Sequence, residues 1–250
     1  MREFFILLRR ELSGYFLSLT GYVIMAAVLL LLGVSFIIML LAANGLTIEM
    51  PLTELFYGTE FFWLILLVAT PVITMRLFAL EWASGTLETL MTTPVGDGQV
   101  VLAKFTAALA FYQVTWLPLL ACLGLVHRYT AHGAPFDWWP VTGTYLGILL
   151  LGALYTSMGC LASALTRSQI IAAMTSFAFG VSLFLVSFLK FSVGTRTGWT
   201  AQTAIYVSLF DHMEDFVRGL VDTRHVVFYV SLTGWFLFLT LKAVEGRRWR

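Results

Sequence analysis

From Tyr22 to Leu41 the chain reads YVIMAAVLLLLGVSFIIMLL, twenty residues without a charge. A helix rises about 1.5 Å per residue, so about 20 apolar residues cross a hydrocarbon core about 30 Å thick. Five further stretches meet that measure: approximately Phe56 to Met75, Thr106 to Val126, Thr144 to Leu165, Ile170 to Phe188 and Val226 to Leu241. With 59% hydrophobic and 12% charged residues, the chain holds more apolar side chains than a 250-residue globule can enclose, and the surplus must face lipid. The runs are continuous, not alternating, so they read as helices that satisfy their own backbone hydrogen bonds and not as barrel strands. The expected fold is an all-α membrane protein with six transmembrane helices, forming a single transmembrane domain over residues 1–250.

The opening MREFFILLRRELSGYFLS does not read as a cleavable signal peptide, because Arg9, Arg10 and Glu11 interrupt its apolar run and no small-residue cleavage site follows. Phe4, Phe5, Leu8 and Leu12 recur at helical spacing while Arg2, Arg9 and Arg10 can reach headgroups, which predicts an amphipathic surface helix over residues 1–18. Placing the N-terminus inside puts ten Lys and Arg residues on inner segments and five on outer ones. That bias favours both termini in the cytoplasm. A formal net charge of +1 and the lack of a basic patch with interleaved aromatics give no reason to expect nucleic acid.

With this orientation, residues 76–105 form the substantial inner loop and TRSQ at 166–169 a tight inner turn, so the fourth and fifth spans are antiparallel neighbours. The outer segment 189–225 is too long for a connector and too apolar for a disordered loop. It is read as two short helices that dip into or rest on the outer face. FDWWP, residues 136–140, supplies an interfacial aromatic belt. In the fifth span Ala172, Ser176 and Gly180 recur every four residues, a small-residue stripe that admits another helix closely; Gly152, Gly159 and Ser163 do likewise in the fourth. Whether these stripes pack within the chain or across a dimer is open at this point.

Glu60 is the single charge inside the spans as drawn, about one turn from an outer end. An ion-coupled carrier keeps ionisable groups near the midplane, so this distribution argues against a proton-driven carrier working alone. No catalytic constellation is legible: there is no G-x-S-x-G elbow, no HExxH and no phosphate loop. Cys122 and Cys160 are expected as packing thiols, and His127 and His132 are spaced unsuitably for one helical face, so no metal site is expected. Work on a substrate would then require energy from another protein.

The stretch ALEWASGTLETLMTTPV, residues 79–95, is where such a protein could act. Ser84 or Gly85 can start a short helix with Thr86 and Glu88 in its first turn, where the helix dipole favours a carboxylate. Pro94 ends it. Leu87, Leu90 and Met91 share an apolar stripe, and a helix running back through Trp82 would set Glu81 and Glu88 on another face.

MRLFALEWASGTLETLMTTPVGDGQVVLAKF, residues 75–105, resembles the signature block of ABC-2 type exporter permeases, in particular the gliding-motility permease-like branch. The matching positions are Glu81, Gly85, Thr86, Leu87, Glu88, Leu90, Thr92, Pro94, Val101, Lys104 and Phe105. The stretch from Asp211 and His212 through Arg218 and Gly219 to Arg248 and Trp249 is similar to that branch as well. The resemblance implies a non-enzymatic membrane subunit of the prokaryotic cytoplasmic (inner) membrane. It would pair with a second permease subunit, identical or not, and bind cytosolic subunits that hydrolyse ATP. ATP and Mg would belong to that partner, with no cofactor in this chain. Residues 1–18 would be an elbow helix, 79–95 the coupling region through Glu81, Gly85, Thr86, Leu87, Glu88 and Pro94, and 189–225 re-entrant helices. Two other readings stand beside it. One is a membrane scaffold for a cytosolic protein. The other is an intramembrane enzyme acting on lipid through His127, His132 or His212.

Overall fold

A computed structural model describes residues 2–42, 52–57, 59–86, 96–129, 138–187 and 206–248. They form helices α1 (Arg2–Phe16), α2 (Leu19–Ala42), α3 (Leu52–Tyr57), α4 (Phe61–Thr74), α5 (Ala79–Ser84), α6 (Asp97–Trp116), α7 (Pro118–Tyr129), α8 (Trp138–Leu165), α9 (Gln169–Ser187), α10 (Leu209–Val217) and α11 (Thr223–Arg248). No strand occurs among the described residues. Six helical segments are long and apolar enough to cross a membrane: Leu19–Leu41, Phe61–Ser84, Asp97–Leu125, Trp138–Leu165, Gln169–Ser187 and Thr223–Gly246.

The span boundaries differ from the sequence reading where it matters most. The second begins at Phe61 and runs on to Ser84, because residues 52–57 form a separate short helix. Glu60 therefore lies just before the span. The third begins at Asp97, nine residues before the predicted Thr106, so Lys104 sits inside a helix and not in a loop. Gly96 is the N-cap, Asp97 occupies the first turn where the dipole favours it, and the helix then continues through Val100, Val101 and Ala103 without a breaker. Hydropathy missed this extension because charge and glycine lower a window average while leaving helix geometry intact.

α8 is the central helix, packed against α4, α6, α9, α10 and α11. In lipid the apolar effect gives little reason for one helix to prefer another over acyl chains, so close fit must supply the attraction. The glycines of α8 allow it. A methyl group on Gly152 would stand 2.2 Å from the Tyr112 ring, and one on Gly159 would stand 2.1 Å from Thr74 Oγ1. In α9, Ala172, Ser176 and Gly180 are buried, and a Cβ on Gly180 would meet Tyr155 at 3.0 Å and Leu67 at 3.4 Å. That face thus lies against α8 and α4 of the same chain. Cys122 and Cys160 are free thiols, the latter buried.

Outside the spans, α10 is fastened by backbone capping. The Leu209 amide donates to Ser187 Oγ at 3.0 Å, Thr53 Oγ1 donates to the Val217 carbonyl at 3.1 Å, and Tyr57 donates to the Phe210 carbonyl at 3.2 Å. Gly219 ends this element at φ 81°, where an added Cβ would stand 3.0 Å from the Trp139 carbonyl carbon and 3.1 Å from the Pro140 nitrogen. The first of the two short helices expected in 189–225 falls mostly on residues outside those described.

Candidate functional site

The second span breaks between Thr74 and Ala79. There the Leu77 amide turns to the Thr74 carbonyl at 3.1 Å, which frees the Ile73 carbonyl. Tyr15 of α1 donates its hydroxyl to that carbonyl at 2.8 Å, in a buried contact. On the other side, Ser163 of α8 takes the amides of Phe78 and Ala79, both at 3.0 Å, and donates to the Met75 carbonyl at 3.2 Å. One serine thus satisfies the donors orphaned by the break and starts α5 in a fixed direction. The consequence is the position of Glu81.

Glu81 faces Lys104 of α6 and Arg10 of α1. Lys104 Nζ lies 2.9 Å from Glu81 Oε1 and 3.1 Å from Glu11 Oε1. Arg10 Nη2 lies 2.8 Å from Glu11 Oε1 and 3.1 Å from Glu81 Oε1. Each cation therefore meets both carboxylates. Lys104 is only 2% exposed, with Nζ 5.6 Å from the Phe78 ring centroid, whereas Arg10 is half exposed. Taking an ammonium out of water costs several kcal/mol, and two carboxylates rather than one offset that cost here. For Glu11, burial acts to raise the carboxyl's pKa, but Lys104 and Arg10 together outweigh it and hold the group below the usual carboxylate range.

These four charges join three elements far apart in sequence at one end of the bundle. Of the residues singled out in the sequence, Glu81 is in this cluster. Gly85, at φ 71°, turns the chain as the C-cap of α5, and Thr86 is again helical. The helix that holds Trp82 is therefore not continuous through Gly85: Ser84 closes it, and the glycine turns the chain before Thr86. Leu87, Glu88 and Pro94 lie outside the described residues. Sequence reasoning missed Arg10, Glu11 and Lys104 as partners of Glu81. The available signal was an unusual one: a lysine embedded among Val100, Val101, Ala103 and Phe105, all buried, demands a carboxylate from elsewhere.

At the other end, His212 of α10 is buried and stacked on His225 of α11, with ring centroids 4.0 Å apart. His225 Nδ1 lies 3.8 Å from Asp215 Oδ2. Burial, with His225 adding to it, pushes the His212 imidazole down to about 4, so it is neutral at physiological pH. The side chains of His127 and His132 fall outside the described residues. No group of three metal-ligating side chains occurs among the described residues.

No curated protein matches the chain at a significant level. The profile of the ABC-2 family transporter protein matches residues 26–239, taking in all six spanning segments except the outermost turns of the first and last. The helical fold, the six spans and this match together place the chain in the ABC-2 transporter family, as an integral membrane permease component, a family membership that implies partnership with an ATP-binding ABC subunit.

Proposed function

We propose that the chain is the permease of an ATP-driven exporter of the gliding-motility permease-like branch, and that it receives work at the end of the bundle where α1, α5 and α6 meet. The observation that carries this reading is the four-charge cluster of Arg10, Glu11, Glu81 and Lys104. A push on the segment that begins at Gly85 would reach α5, and through Glu81 it would move α1 and α6 together. α1 then serves as the elbow helix, residues 79–95 as the coupling region and 189–225 as the re-entrant part. Glu81 is already engaged within the chain, so contact with the ATPase falls to Thr86, Leu87 and Glu88, while Glu81 passes displacement inward. ATP and Mg are held by the partner, and two permease subunits form the complex. Both termini face the cytoplasm of a prokaryotic cell, the chain lying in its inner membrane, in keeping with the Lys and Arg bias.

The test is co-purification of the chain with a candidate ATP-binding ABC subunit. Wild type should capture that subunit, and Glu88→Lys should lose it while still inserting into the membrane. Capture that is unaffected by Glu88→Lys would remove the coupling role from this segment.

A further inference from the structure

A cleft of about 240 Å³ opens beside the charge cluster, walled by Arg10, Gly14, Tyr15, Arg76, Leu80 and Glu81. At about 30 Å³ per water its volume equals roughly eight waters, enough for a small polar headgroup and too little for acyl chains. Three cations, Arg10, Arg76 and Lys104, face two carboxylates, Glu11 and Glu81, leaving one positive charge in excess. Arg76 is the source of that excess. Its guanidinium donates to Thr20 Oγ1, and it has no carboxylate partner among the described residues. Glu81 gives Oε1 to both Arg10 and Lys104, while its Oε2, buried at the same wall, has no hydrogen-bond partner. The cleft therefore offers an unneutralised guanidinium, with an unmet carboxylate oxygen buried in its wall. Exposed leucines lie close by: Leu80 at the cleft, Leu17 in the α1–α2 connection and Leu19 at the start of α2.

We propose that this cleft holds the headgroup of a phospholipid bearing both a phosphate and an ammonium with N–H groups, as in phosphatidylethanolamine. Arg76 takes the phosphate, with Arg10 beside it. Glu81 Oε2, turned a little toward the cleft, accepts from the ammonium. The acyl chains lie outside against the exposed leucines. A free phosphate would satisfy only the guanidinium and would leave both Glu81 Oε2 and the leucines as they are. This site is independent of the transport reading, since it concerns retention of a lipid and not its movement.

The experiment exchanges the purified chain into bilayer discs containing equal amounts of phosphatidylethanolamine, phosphatidylcholine and phosphatidylglycerol, then counts retained lipids by native mass spectrometry. Phosphatidylethanolamine should be retained about tenfold over phosphatidylcholine, whose quaternary ammonium has no N–H to donate. Arg76→Gln should reduce that retention about tenfold. Gly14→Leu fills the cleft and should have the same effect with an unchanged melting temperature, because a Cβ at Gly14 meets no atom within 4 Å. Indifference of the wild type to headgroup would overturn the proposal. So would full retention by Gly14→Leu, or displacement of the lipid by millimolar inorganic phosphate, which would make the cleft a site for a free anion.

Discussion

Replacing Lys104 by methionine keeps the length and apolar stem of the side chain and removes only its charge. In the folded protein Nζ is 2.9 Å from Glu81 and 3.1 Å from Glu11, and Lys104 is 2% exposed. Without it, two carboxylates that are 15% and 17% exposed are left to share Arg10, which is half exposed and so partly screened by water. Removing one member of a buried ionic group typically costs about 3–5 kcal/mol, and that is the loss expected for Lys104→Met. Glu81→Gln should cost less, about 1–3 kcal/mol, since Lys104 keeps Glu11. Combining the two should fall short of their sum by about 1 kcal/mol or more, because one interaction cannot be lost twice. The assay is unfolding in mixed lipid–detergent micelles with increasing dodecyl sulfate, followed by helical circular dichroism. A loss below about 0.5 kcal/mol for Lys104→Met, as at an ordinary surface site, or strict additivity of the pair, would refute the reasoning.

Four further outcomes are expected. Glu11 has a lowered folded pKa, so its contribution to stability is complete above the ordinary carboxylate value and is lost as pH falls through the lowered one; α1 should become protease-sensitive in acid, and less pH-dependent in Glu11→Gln. His212 behaves with the same sign: with a folded value of about 4, stability should fall by about 1–3 kcal/mol as pH drops from about 6.5 toward 4, and His212→Gln should flatten that limb of a pH–stability curve. Gly159→Leu drives a side chain into Thr74 and Gly180→Leu into Tyr155, so each should lower stability by about 1–3 kcal/mol or prevent folding, while Gly33→Leu, with open space around it, and Leu183→Ile should be tolerated in thermal-shift measurements. Labelling single cysteines at Ser13 and Thr197 with an impermeant reagent in intact cells tests orientation. Thr197→Cys should react and Ser13→Cys should not.

What the sequence made legible was whatever depends on the chain's local pattern. The six spans follow from apolar length alone, and the stripe Ala172, Ser176, Gly180 from a four-residue period. The amphipathic character of residues 2–16 follows likewise from spacing. The cluster was hidden because it is assembled from residues 10, 11, 81 and 104, and no period within one element encodes their meeting. Two local events bring them together: the break at 75–78 capped by Ser163, and the early start of α6 at Asp97. The first needs a serine on a helix more than eighty residues away, and the second runs against hydropathy. Asp97 lies in the first turn of α6, where a reversed charge would oppose the helix dipole, so Glu245 on the exposed Lys242 pair is the better place for a control charge reversal.

In the proposed function this chain takes its energy from a separate ATPase through the segment after Gly85. Its most direct test is ATP hydrolysis in liposomes containing the purified chain, with and without a candidate ATP-binding ABC subunit. The chain alone should not hydrolyse ATP. The assembled complex should hydrolyse ATP, Glu88→Lys should lose that activity, and Glu245→Lys should keep it. Hydrolysis by the chain alone, or an assembled activity that Glu88→Lys leaves unchanged, would contradict it.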